Sequence, residues 1–129
     1  MSHLRTFALG LVVGLLAFTC SGCGAAGLDA AVRVANGARE VEVTAGEILR
    51  VECTEAYQRA STAARIAELD DGCLPARAAY GSLRAARLTT VAAIIAAQAG
   101  GSAAGLPAAA AALAAAAGAA ADTAAALEK

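Results

Sequence analysis

Apolar and polar positions along this chain follow the alternating spacing of four and three residues that keeps side chains on one face of a helix. The clearest stretch runs over 46–69. There Leu49, Cys53, Ala56, Ala60, Ala63 and Ala67 share a narrow seam, while Glu47, Arg50, Thr54, Gln58, Ser61, Arg65 and Glu68 fall on the other side. A second seam, Ala79, Leu83, Ala86, Thr90, Ala93 and Ala97, widened by Tyr80, Val91 and Ile94, predicts a helix over 75–99. Leu28, Val32 and Ala35 predict a shorter one over 28–36, ended by the turn signal Asn36-Gly37. Val41-Glu42-Val43-Thr44 alternates like a strand, but no second strand candidate exists to pair with it, so it reads as helical or irregular.

Two breaks divide the pattern. Asp70-Asp71-Gly72-Cys73-Leu74-Pro75 combines a turn glycine with a proline suited to open a new helix, and Gly100-Gly101-Ser102 precedes a restart at Leu106-Pro107. The last helix, 106–127, is almost entirely alanine, easy to form but with little side chain to bury. The pattern therefore predicts an all-α fold, an antiparallel helical hairpin or three-helix arrangement over 28–129 with an Ala-rich C-terminal helix. Arg77, Arg84 and Arg87 are placed to meet acids of the preceding helix.

Composition narrows what such a domain can do. The chain has 129 residues, 41 of them alanine, with 3% aromatic residues and a net charge of −1. A thin core follows, and the balanced charge leaves no electrostatic footprint for nucleic acid. From Leu88 to Ala121 there is no charged residue, which admits a membrane span; a loosely packed helix and partial disorder are the alternatives, because Gln98, Gly100-Gly101-Ser102 and Pro107 interrupt the run and alanine is only weakly apolar.

The beginning of the chain follows a different logic. Arg5 precedes the apolar run Thr6–Phe18, which is too short to span a bilayer comfortably but has the length of a secretory signal peptide. The run ends at Thr19-Cys20-Ser21-Gly22-Cys23-Gly24. Here the sequence resembles the leaders of bacterial lipoproteins, which close with a small-residue box directly before a cysteine. Ser21-Gly22-Cys23 fits that box, while Cys20 stands where the class usually has leucine and is itself preceded by the poorly fitting Phe18 and Thr19. The resemblance covers the leader alone. It implies removal of residues 1–22 by signal peptidase II and acylation of Cys23. With Gly24 rather than aspartate after the cysteine, the resemblance also implies residence in the outer membrane facing the periplasm, and the small, flexible Gly24-Ala25-Ala26-Gly27 reads as a short tether over 23–27. The membrane, reached through the N-terminal lipid, is then one partner, and another envelope protein or a second copy is the other.

With Cys20 removed and Cys23 modified, Cys53 and Cys73 remain, and two such cysteines in an oxidising compartment pair with each other or between copies. An unbroken helix from Cys53 to Leu69 would be about 24 Å long, and the next four residues return only about 14 Å. An intrachain bond therefore requires the helix to start after Cys53 or to end near Ile66.

Catalytic candidates are few. The single histidine, His3, lies in the leader, the only lysine is Lys129, and Ser61, Ser82 and Ser102 have no histidine to activate them. Asp70-Asp71 beside Gly72 has the chemistry of a turn, and the two cysteines lack further ligands for zinc. The reading is therefore non-catalytic, without cofactor or metal: a small lipid-anchored protein with a structural or interaction role. The alternative is a membrane-active or lysis-related lipoprotein that uses its Ala-rich C-terminal region in the manner of a phage outer-membrane spanin subunit.

Overall fold

The structure, a computed structural model, describes residues 24–129. The leader and Cys23 lie outside the described residues. Three long helices, with no strand among the described residues, form an up-down-up bundle. Helix α1 spans Gly24–Ile48 and passes into a wider π-helical segment, Leu49–Glu55. The short α2, Ala56–Arg59, precedes a sharp reversal, and α3 runs back over Ala63–Gln98. Helix α4 is Leu106–Leu127. The all-α architecture with an Ala-rich C-terminal helix is thus observed.

Each long helix contributes one seam. Ala31, Ala35, Ala38 and Ala45 are buried along α1 and lead to Leu49 and Cys53. Leu69, Cys73, Ala76, Leu83, Thr90 and Ile94 are buried along α3, and Leu106, Ala110, Leu113, Ala117, Ala120 and Ala124 along α4. Spacings of four and three repeat in all three, which is the pattern of helices packed side by side. The core is thin because most of its residues are alanine, with Leu83, Leu106 and Leu113 as its largest fully buried side chains.

Helix boundaries differ from the sequence reading at several points. The stretch 24–27, expected as a tether, is the first turn of α1, which Leu28 docks against the cluster containing Ile94 and Leu106. Asn36-Gly37 does not end a helix at 36, because Ala31, Ala35 and Ala38 are already committed to one buried face, and one glycine in a helix costs only about 1 kcal/mol. Val41–Thr44 is helical within α1.

The break expected at 70–75 does not occur; α3 runs through it with Pro75 inside. Pro75 is exposed while Cys73 and Ala76 on either side are buried, so its ring and lost hydrogen bond face solvent and tertiary packing holds the helix together. The reversal comes earlier, at Ala60-Ser61-Thr62. Ala60 and Thr62 are extended, and the Thr62 hydroxyl accepts a hydrogen bond from the Arg65 amide at 3.2 Å, capping α3. This interruption resets the helical phase: Leu49 and Cys53 of the predicted 46–69 seam are buried, whereas Ala63 and Ala67 are exposed and Leu69 takes the inner position.

The end of α3 follows the sequence signal. Gly100 has φ of +88°, and the Gly101 and Gly100 amides donate to the Ala96 and Ala97 carbonyls at 2.9 and 3.1 Å, the paired bonds that close a helix with a left-handed residue. Helix α4 is also long and apolar enough to cross a membrane by length and composition, with one third of its most apolar window buried in the bundle.

Candidate functional site

Two places concentrate chemistry: the hairpin tip and a polar crossing halfway along the bundle. At the tip, the reversal at residues 60–62 brings α3 back antiparallel to the π-helical segment, and the sulfurs of Cys53 and Cys73 meet in disulfide geometry with a Cα–Cα distance of 5.8 Å. The sequence condition for an intrachain pair is met by a third route, a break midway between the cysteines followed by a new helix. Both residues are fully buried with Leu49 and Ala76, and Tyr57, Tyr80 and Leu127 pack around them.

Tyr57 organises the outer side of this tip. Its hydroxyl donates to the Asp70 carboxylate, and the Arg77 guanidinium lies over its ring, 5.1 Å from the centroid. The hydrogen bond to Asp70 raises the Tyr57 pKa above its ordinary value. Asp70, expected as a turn residue, is therefore a helical residue that ties α2 to α3. Beside this contact lies an open groove of about 400 Å³, lined by Glu52, Arg59, Arg65, Glu68, Gly72 and Leu127. Its charged residues are exposed, and Arg65 pairs with Glu68 at 2.6 Å on the surface.

The polar crossing is built on Glu42. In the four-three sequence of α1 it occupies a seam position between Ala38 and Ala45, and only 13% of its side chain is exposed. Arg87 donates to its carboxylate, and Arg84 lies 3.9 Å away. Two of the three arginines expected to meet acids do so, although their partner lies on α1 and not within 46–69. Nearby, the buried Thr90 hydroxyl reaches the Ala86 carbonyl at 2.9 Å and, across to α4, the Ala109 carbonyl at 3.2 Å.

Neither place assembles a nucleophile with a base. Ser61, Ser82 and Ser102 are exposed and scattered, and among the described residues no group of three His, Cys, Asp or Glu side chains gathers in metal-binding range. Cys23, the predicted lipidation site, lies outside the described residues. The reversal was missed by the sequence reading, yet its signal is there: Ser61-Thr62 stands before an alanine-rich helical run, where a hydroxyl caps the first free amides. No protein-family model matches the chain, and neither a curated protein nor a solved structure matches it.

Proposed function

We propose that this chain is a small lipid-anchored protein of a bacterial envelope with a structural or interaction role and no catalytic one. The observation that carries the reading is the apolar run Thr6–Phe18 closed by Ser21-Gly22-Cys23. Acyl chains on Cys23 would hold the protein firmly, since each buried CH₂ contributes about 0.8 kcal/mol and two or more chains give stable anchoring. Residues 24–27 are already helical, so the rod would be held close to the bilayer surface and not on a long flexible leash. The tip disulfide suits an oxidising compartment, and the outer membrane facing the periplasm is the location we assign. A non-catalytic role is supported by the lack of any histidine after His3 and by the scattered serines.

The second reading, a membrane-active or spanin-like lipoprotein, draws on the apolar length of α4. Against it stands the seam of α4 from Leu106 to Ala124, which inserts between α1 and α3 and would have to be withdrawn first. The intact mass of protein purified from membranes, taken before and after reduction and alkylation, tests the first reading. A mass beginning at Cys23 plus acyl chains, with two thiols released only on reduction, is expected; an unprocessed, unacylated mass overturns it. Carbonate washing of a Cys23→Ser variant separates the two readings, because release supports lipid as the sole anchor and retention supports α4.

A further inference from the structure

Helix α3 carries two apolar stripes, and the bundle buries only one. Opposite the inner seam, Leu74, Leu88 and Ile95 are 57%, 57% and 60% exposed. Each is followed four residues later by an exposed alanine, and Gly81 with Ala85, also exposed, fills the remaining heptad. The outer face thus keeps the four-three spacing from Leu74 to Ala99 without interruption, a seam about 38 Å long that meets no helix of its own chain.

We propose that this outer face of α3 pairs with the same face of a second copy, antiparallel about a two-fold axis. The sizes of the side chains select this occupant. With Leu74 opposite Ala99 of the second copy, Ile95 falls on Ala78 and Leu88 on Ala85. Gly81 then falls on Ala92, so every large side chain meets a small one, and the two backbones come closest at the Gly81–Ala92 layers. A parallel pair would place each residue on itself, giving leucine on leucine in some layers and glycine or alanine on itself in others, crowded and empty by turns.

Charge agrees with the pairing. In the antiparallel register Arg77 flanks Gln98 and Arg84 flanks Val91, so no charge opposes its like. An acidic partner is disfavoured because Arg84 is turned toward Glu42 and Arg77 lies over Tyr57. A strip about 38 Å long and about 10 Å wide covers roughly 400 Å² on each copy, about half that of a standard specific interface, so the dimer is weak and reversible and not obligate. The two-fold axis is the isologous arrangement expected for a self-complementary face. The proposal names the partner for the interaction role above and rests on that reading for its membrane setting. Since the Gly24 ends would lie at opposite ends of the pair, both anchors reach one bilayer when the rods lie along it.

The test is sedimentation equilibrium of the full-length protein, purified from membranes in a non-ionic detergent, from roughly 1 to 100 µM. A monomer–dimer equilibrium is expected. Leu88→Asp should weaken it by about tenfold or more, and Ala85→Leu should also weaken it, by setting leucine against Leu88 in the two central layers. Both positions are exposed, so unchanged helical circular dichroism is expected for the monomers. A wild-type protein that stays one chain throughout, or a dimer indifferent to Leu88→Asp, overturns the proposal. Tighter association of Ala85→Leu also overturns it, being the result for a parallel pair. Intact mass of the same samples keeps the two readings apart: an acylated monomer refutes the dimer alone, and an unacylated dimer refutes the lipid anchor alone.

Discussion

Removing the tip disulfide is the perturbation whose cost follows most directly from the structure. Cys53 and Cys73 are separated by 20 positions, so their bond closes a loop of that size in the unfolded chain. The chain-entropy relation gives about 3 kcal/mol at 25 °C for such a loop. That sum is large for this tip, whose buried core is Leu49, the two cysteines and Ala76. Because Leu49 and Cys53 continue the α1 seam while Cys73 and Ala76 continue that of α3, the bond ties both strands of the hairpin just where α4 ends at Leu127. The assay is urea denaturation followed by circular dichroism, comparing oxidised wild type with the double variant Cys53→Ala/Cys73→Ala. With a urea dependence of about 1–3 kcal/mol per molar for a small protein, the midpoint should fall by roughly 1–3 M. Trypsin should also cut after Arg59, beside the reversal, faster in the variant than in wild type. A midpoint shift under about 0.3 M, with unchanged cutting at Arg59, would refute the view that this loop closure secures the tip.

Three further outcomes are expected. Pro75→Ala restores a helical hydrogen bond at an exposed site and relieves the ring, which should stabilise the protein by about 2 kcal/mol after the loss of proline's stiffening of the unfolded chain, read as a higher urea midpoint. Thr90→Val removes the hydroxyl that links α3 to the Ala109 carbonyl on α4 and should cost about 1 kcal/mol in the same measurement. Tyr57, with its pKa raised chiefly by donating to Asp70, holds its proton more tightly folded than unfolded. Its contribution is therefore complete below the ordinary tyrosine value near 10 and is lost as pH rises through the higher folded value. Absorbance titration at about 295 nm should show a late-ionising tyrosine that disappears in Tyr57→Phe, and the alkaline loss of stability should shrink with it.

Most of the fold class can be read from the residues themselves, because a repeat of four and three is a property of the chain before it folds. So can the end of α3, since Gly100 takes a left-handed conformation and Gly101 leaves no room for a side chain, the Ala96 carbonyl lying 2.7 Å from where its Cβ would be. The hairpin was harder to read. Asp70 to Pro75 carries the stronger local turn signals, yet the chain turns at Ala60 to Thr62, because Leu69, Cys73 and Ala76 gain burial only if α3 continues through the proline. Local propensities of about 1–3 kcal/mol are overridden when several buried side chains depend on the opposite choice.

The sequence by itself determined the helical character, the four-and-three seam over 79–97 and the leader pattern that ends at Cys23, since each depends only on neighbours along the chain. The inner stripe of α3 over 79–97, bearing Leu83, Thr90 and Ile94, is legible in the same way and does face α1 and α4, while Leu74, Leu88 and Ile95 are left outside. Tertiary structure alone decided that this helix begins at Ala63 and runs through Pro75, so that Leu69, Cys73 and Ala76 join the inner stripe. The pairing of Glu42 with Arg84 and Arg87, and of Cys53 with Cys73, likewise exists only once the reversal at Ala60–Thr62 lays α3 against α1, because proximity between distant residues is set by the path of the chain and not by their spacing in it.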